Sequence, residues 1–130
     1  MEKTRTVTSI RIMAGIVEIT GYLDDSRTAK AIAEALPVEG RVQRWGGEIY
    51  FPVHVRAELE SGCRDVLEIG ELGYWPTGSA FCIFFGPTPA SEGNEIRAAS
   101  NVNVIGKLSG DLAKLTEVQA GTVISIEAID

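Results

Sequence analysis

Residues 66–91 read VLEIGELGYWPTGSAFCIFFGPTPAS and include Phe81–Phe85, a run that is apolar at every position. A strand buried on one face alternates between apolar and polar residues, whereas a short continuous apolar run is typical of a strand buried on both faces. Turn-forming residues flank the run, with Gly78 before it and Gly86-Pro87 after it. The stretch therefore predicts a β-rich fold in which one strand is covered on both faces.

Outward from this stretch, apolar residues recur at every second position, which is the period of a half-buried strand. Thr8–Ile12 and Val17–Ile19 alternate in this way around Ala14-Gly15 and predict an N-terminal β-hairpin. Ile49–Val55 alternates as well, and Pro52 within it indicates a sheet edge or a bulge. The glycine-rich residues 70–78 are interpreted as turns, and further short strands are predicted at Val66–Ile69, Val102–Leu108 and Val123–Ile129.

Two segments have helical periodicity instead. Asp24–Ser26 offers side-chain oxygens for an N-cap, the residues up to Leu36 place apolar side chains on one face, and Pro37 ends the helix. A shorter amphipathic helix is predicted at Asp111–Val118. About eight short strands and two helices, without regular βαβ alternation, predict a mainly β protein built as a closed antiparallel barrel or a sandwich.

Length and composition are those of one ordinary globular domain. The 130 residues suit a single domain, taken here as residues 1–130. The net charge of −6 argues against a nucleic-acid partner, because binding to phosphates requires a basic surface. No stretch approaches the roughly 20 apolar residues of a membrane span, and no secretory signal is visible. Two cysteines suit a reducing compartment, so we expect a cytoplasmic protein that binds neither nucleic acid nor membrane.

Residues that commonly carry chemistry are few. His54 is the one histidine of the sequence, which excludes a site with several histidine ligands, and it lies on the polar phase of its strand. Cys82 is expected to be an inert core residue, because its sequence neighbours are apolar, and Cys63 a free thiol in a loop. No phosphate-binding or dinucleotide-binding glycine motif is present. The sequence therefore predicts no metal site and no cofactor.

Most aromatic residues fall into three segments that also contain glycine or proline: WGGEIYF at 45–51, GYWPTG at 73–78 and FFGPTP at 84–89. Aromatic side chains in such segments either fill a core or line a concave binding site that glycines leave open. Both interpretations stay open at this point. If a site exists, we expect Trp75 to lie in a loop beside it. The predicted ligand-binding residues are Trp45, Glu48, Tyr50, Tyr74, Trp75 and Asn103.

The same segments carry a family resemblance. WGGEIYF, residues 66–91 and NVNVIGKL at 101–108, in this order, resemble the small prokaryotic cyclophilin-like proteins of uncharacterised function. The resemblance covers about residues 41–110 and implies a closed cyclophilin-like antiparallel β-barrel with a helix at each end.

A fainter resemblance links residues 78–83, GSAFCI, to the Gly-Ser-Gln-Phe-Phe-Ile strand of the cyclophilins that are peptidyl-prolyl isomerases. In this chain Ala80 replaces the glutamine, Cys82 replaces the substrate-facing phenylalanine, and Pro37 stands where the catalytic arginine is expected. Prolyl isomerisation crosses a barrier of about 18–20 kcal/mol, and an arginine donor to the twisted amide lowers it. A divergent isomerase, which would need Arg44 or Arg97 in the groove, is therefore the alternative.

These observations favour a binding module for a small molecule or a short, proline-containing peptide, without established catalysis. A third hypothesis is an interaction protein whose exposed strand around Pro52 pairs with a partner or with a second copy in a homodimer.

Overall fold

The computed structural model describes residues 7–129. Within them the chain forms ten strands, one α-helix and two short 3₁₀ helices, at Pro76–Gly78 and Leu112–Glu117. In chain order the larger elements are β1 (Thr8–Ala14), β2 (Val17–Leu23), α1 (Arg27–Ala35), β3 (Val38–Arg41), β4 (Gln43–Trp45), β5 (Glu48–Pro52), β6 (Arg64–Leu67), β7 (Glu71–Trp75), β8 (Ala80–Phe84), β9 (Ile96–Ser109) and β10 (Val123–Ala128).

The strands follow the order β3-β10-β1-β2-β9-β7-β8-β5-β4, every pair is antiparallel, and β6 pairs with β9 outside this path. A mainly β fold with helices is thus confirmed, whereas the closed barrel of about eight strands is not, because the described residues form ten strands and the hydrogen-bonded path does not close. The two end strands, β3 and β4, are not hydrogen-bonded to each other. They are consecutive pieces of one segment with only Val42 between them, so they cannot turn back and pair side by side.

The glycine-rich stretch at 70–78 is another correction, since it contains strand β7 where turns were expected. Gly73 lies in the middle of this strand, and a Cβ atom added there would come within 3.0 Å of Val102 and 3.2 Å of Phe84. This glycine therefore marks close packing between strands and not a turn. Trp75, which was expected in a loop, is the last residue of β7.

Strand β8 is buried on both faces, as its sequence predicts, and all five of its residues are buried. Phe81 and Ile83 belong to the main core, whereas Ala80, Cys82 and Phe84 belong to a second apolar cluster. The second cluster also contains Leu67 of β6 and Ile96, Ala98 and Val102 of β9. The sheet thus has a main core on one face of β5, β7 and β8 and a smaller apolar layer on the other.

Both predicted helical segments are present. In α1 the Ser26 hydroxyl accepts a hydrogen bond from the Ala29 N–H, and the helix ends just before the cis peptide bond between Leu36 and Pro37. The segment predicted at Asp111–Val118 is the second 3₁₀ helix, with Leu115 buried. None of the helices within residues 7–129 is long and apolar enough to span a membrane.

The strand around Pro52 is not the free edge that the interaction hypothesis needs. β5 pairs with β4 on one side and with β8 on the other. Pro52 itself lies beyond the last pair with β4, which joins Gln43 to Tyr50, and faces only Ala80 of β8. A residue without an N–H is tolerated there because the strand has no second neighbour at that position.

Candidate functional site

A cavity of about 220 Å³ opens on the outer face of the sheet, next to the second apolar cluster. Strands β4, β5 and β7 contribute the larger side chains, and the first half of β9 contributes small ones. The lining residues are Trp45, Glu48, Tyr50, Trp75, Ala98, Ala99 and Val102.

Strand pairing explains why the large side chains meet. Successive side chains of a strand point to opposite faces, so Glu48 and Tyr50 share one face of β5. Trp45 of β4 stands directly opposite Glu48 in the antiparallel register. The other neighbour of Glu48 is Phe84 of β8, which belongs to the second cluster. Trp45, Glu48 and Tyr50 are therefore brought together by local pairing between adjacent strands.

Trp75 reaches the cavity from the far side of β8, where it pairs with Ala80. Its indole N–H donates a hydrogen bond to the Ser100 hydroxyl of β9 over 2.7 Å. Its six-membered ring lies against Gly78, where an added Cβ atom would come within 2.9 Å of the ring. These contacts hold the indole in place. Because its N–H is hydrogen-bonded to Ser100, which does not line the cavity, Trp75 presents an apolar surface to the cavity.

Glu48 is the one acidic residue of the lining, and its side chain is only 6% exposed. Burial raises the pKa of its carboxyl from 4.5 to about 7, and the neighbouring Cys82 thiol offsets part of this rise. Burial also raises the pKa of Cys82, and the nearby carboxyl raises it further. Glu48 therefore changes its charge near neutral pH, while Cys82 stays a protonated, fully buried thiol.

Comparisons with known proteins show the family of the chain. A family model described as cyclophilin-like matches residues 8–127. The chain belongs to the cyclophilin-like family. The solution structure of a hypothetical protein from Archaeoglobus fulgidus is similar, with a TM-score of 0.81 and 37% sequence identity, over 99% of this chain and 100% of that one. A comparison with curated proteins gave no match. The resemblance to cyclophilin-like proteins of uncharacterised function is thus confirmed.

Two of the six predicted site residues of this cyclophilin-like chain lie outside the cavity. Tyr74 is fully buried in the main core, and its hydroxyl donates a hydrogen bond to the Val55 carbonyl over 2.5 Å. Tyr74 immediately precedes Trp75 in β7. Because adjacent residues of a strand point to opposite faces, the two side chains lie on opposite sides of the sheet. Asn103 is 2% exposed and lies one residue beyond the lining residue Val102.

Asn103 joins β9 to the loop after β5 and to α1. Its amide nitrogen donates to the Glu58 carbonyl and to the Thr28 hydroxyl, both over 2.9 Å, and its amide oxygen accepts from the Glu60 N–H over 2.8 Å. The Glu60 carboxylate in turn accepts hydrogen bonds from the backbone N–H and the hydroxyl of Thr28. The polar role of Asn103 is therefore to fix this loop against the helix.

We expect Asn103→Ala to lower the free energy of unfolding by about 2 kcal/mol, because it removes three hydrogen bonds, one of them fully buried and two partly buried. Urea unfolding followed by tryptophan fluorescence measures this change. Asn101→Ala is the matched control, since Asn101 is exposed on the same strand and its replacement should change stability by less than about 0.5 kcal/mol. Equal stability of the two variants would contradict the structural role of Asn103.

The arginines that an isomerase would need are engaged elsewhere. Arg44 donates to the carbonyls of Gly46 and Val118 and lies over the Phe85 ring, 5.1 Å from its centre. Arg97 forms ion pairs with Asp65 and Glu95 at 2.8 and 2.7 Å. Neither lines the cavity, so the described residues place no arginine where the isomerase alternative needs one.

The remaining sequence candidates do not extend the site. His54 is exposed, Cys63 is half-buried, and the part of the chain that the structure describes has no group of three His, Cys, Asp or Glu side chains that could hold a metal ion. The lining residues that the sequence did not indicate are Ala98, Ala99 and Val102. They carry no functional group, and their role as a wall follows from the path of β9 over the sheet.

Proposed function

We propose that this cyclophilin-like protein binds a small organic ligand, or one side chain of a short peptide, in the cavity between Trp45 and Trp75. The observation that supports the proposal is the meeting of three aromatic side chains and one buried carboxyl around a single open cavity. Ligand sites typically combine apolar walls with a few well-placed polar groups. The cavity has this composition, and aromatic side chains exposed together on a surface are otherwise costly.

The size of the cavity limits the ligand. Sites for drug-sized molecules measure roughly 300–1,000 Å³, whereas this cavity measures about 220 Å³. It therefore suits a single ring or a compact branched group, and a larger ligand would extend into solvent along the open side.

A larger depression of about 480 Å³ lies between α1 and the loop after β5. Its lining includes Arg27, Arg56 and Glu58, together with Thr28 and Glu60, which are already hydrogen-bonded to each other. This surface is charged, and part of the hydrogen-bonding capacity of its side chains is already used by contacts within the protein. The smaller aromatic cavity is therefore the better candidate for binding an organic group.

The test uses the two tryptophans as reporters, because the chain has only two and both line the cavity. Phenol, benzamide and N-acetylprolinamide serve as probes, and the indole N–H signals of Trp45 and Trp75 are followed by nuclear magnetic resonance. We expect at least one probe to shift both signals in a saturable manner. Trp75→Ala should weaken its binding at least about tenfold, because stacking on an aromatic ring is lost.

Tyr22→Ala is the matched control, since Tyr22 is an exposed aromatic residue on β2, outside the cavity, and its replacement should leave binding unchanged. If Trp75→Ala does not fold, Ala99→Leu provides the same test by filling the cavity from an exposed position. Binding that survives in the folded Trp75 or Ala99 variant would contradict the proposed site.

A further inference from the structure

The cavity lining contains one acidic side chain and no basic one. Glu48 is only 6% exposed, and the side chain that partly offsets the rise in its pKa is the neighbouring Cys82 thiol, an uncharged group. None of the lining residues is basic. Burying a carboxylate away from a cationic partner costs free energy, so Glu48 is better suited to meeting a cation from outside than to stabilising the fold.

The nearest candidates for an internal counter-ion do not reach Glu48. Arg44 is adjacent to Trp45 in β4, but its guanidinium lies over Phe85, a residue of the main core on the other face of the sheet. Arg97 is adjacent to Ala98 in β9, but its guanidinium is held by Asp65 and Glu95. A ligand is thus the natural source of positive charge.

The walls suit one kind of cation. Trp45, Tyr50 and Trp75 line the same cavity as Glu48, and aromatic faces attract cations, tryptophan most strongly. A primary ammonium has three N–H donors that all require acceptors. Among the lining side chains, only the Glu48 carboxyl and the Tyr50 hydroxyl can accept. An ammonium whose hydrogens are replaced by methyl groups has no such requirement and gains contact with the apolar walls.

We propose that the ligand presents an alkylated ammonium group, which the cavity holds between Trp45, Tyr50 and Trp75 with Glu48 as its counter-ion. This inference rests on the proposed function and adds the chemical class of the bound group.

The test compares two molecules of nearly the same shape, choline and 3,3-dimethylbutan-1-ol, of which only choline is charged. Binding of each to the full chain at pH 8 is measured from the indole N–H signals of Trp45 and Trp75. We expect choline to bind at least about tenfold more tightly than the alcohol, because attraction to the rings and to the carboxylate acts on the cation alone. Glu48→Gln should remove most of this preference while leaving the weak binding of the alcohol unchanged.

The pH dependence gives a second readout. The titratable side chains next to Glu48 in the cavity region are Tyr50 on its own strand and Cys82 on β8, whereas the lining residues from β4, β7 and β9 carry none. Protonation of Glu48 near pH 7 removes the counter-ion. Choline affinity should therefore fall about tenfold from pH 8 to pH 6 in the unmodified protein, and should stay constant in Glu48→Gln.

The outcomes separate the inference from the proposed function. If choline and the alcohol bind equally well, or if Glu48→Gln keeps the preference for choline, the inference is overturned and the cavity remains a site for neutral groups. If neither molecule binds but benzamide or phenol does, the inference is again overturned and the proposed function stands. If no probe of either set shifts the indole signals, both fail.

Discussion

Gly106→Ala is expected to lower the free energy of unfolding by about 4 kcal/mol, a large part of the stability of a domain of this size. A Cβ atom on Gly106 would lie 2.0 Å from the Tyr22 carbonyl oxygen and 3.0 Å from the Leu23 Cα atom. Both are backbone atoms of β2, which pairs with β9 at this position. Backbone atoms in a paired strand cannot rotate away, so the extra methyl group must separate the two strands.

Chemical unfolding followed by tryptophan fluorescence measures this loss. Gly62→Ala is the matched control, because an added Cβ atom at Gly62 meets nothing within 4 Å and its backbone needs no left-handed conformation. Its replacement should leave stability unchanged or raise it slightly, by restricting the unfolded chain. A Gly106→Ala variant as stable as Gly62→Ala would show that β2 and β9 do not pack as closely as described.

Glu48→Gln is expected to raise the free energy of unfolding by about 3 kcal/mol at pH 8, while changing it little at pH 4. Burial raises the pKa of Glu48 from 4.5 to about 7 in the folded protein. Between these pH values the folded state keeps a proton that the unfolded state releases, so stability falls as pH rises from about 4.5 to about 7. Above pH 7 the folded protein carries the full cost of the buried charge, and glutamine avoids it.

Unfolding by urea at a series of pH values from 4 to 8 measures the difference between the two proteins. The matched control is Glu34→Gln, because Glu34 is exposed on α1, and this variant should follow the unmodified protein at every pH. A difference between Glu48→Gln and the unmodified protein that is the same at pH 4 and pH 8 would contradict the assigned cause. Such a gain would show that the buried carboxylate costs stability, as functional residues commonly do.

Part of the candidate site was predictable from alternation alone. Glu48 and Tyr50 are two residues apart in a strand and must share a face, whereas Tyr74 and Trp75 are adjacent and must point to opposite faces. The same rule separates Asn103 from Val102. Aromatic character favoured both Tyr74 and Trp75, and polarity favoured Asn103 over Val102, but neither property tells which face of the sheet a side chain points to. The structure brings only Trp75 and Val102 to the cavity.

The burial of Glu48 was not predictable from alternation. Its position on the polar phase of β5 indicated a solvated strand face, yet the residue is 6% exposed. The face is covered because β9 continues past its pairing with β7 and carries Ala98, Ala99 and Val102 to the cavity wall, while its first half pairs with β6. These residues lie about fifty positions along the chain, and no local pattern around Glu48 contains information about them.

The sequence by itself determined strands β1, β2, β5, β8 and β10, the helix at α1 and the double burial of β8, because each depends on the periodicity of neighbouring residues and on the turn residues that bound them. The motifs in residues 45–51, 66–91 and 101–108 likewise determined the family. Only the tertiary structure decided that the hydrogen-bonded path of strands ends at β3 and β4 without pairing them, and that the outer face of the sheet holds a cavity with a buried carboxyl. Both features depend on how segments that are distant in sequence pack against one another. Packing of this kind is decided by contacts across the whole chain and not by the pattern of neighbouring residues.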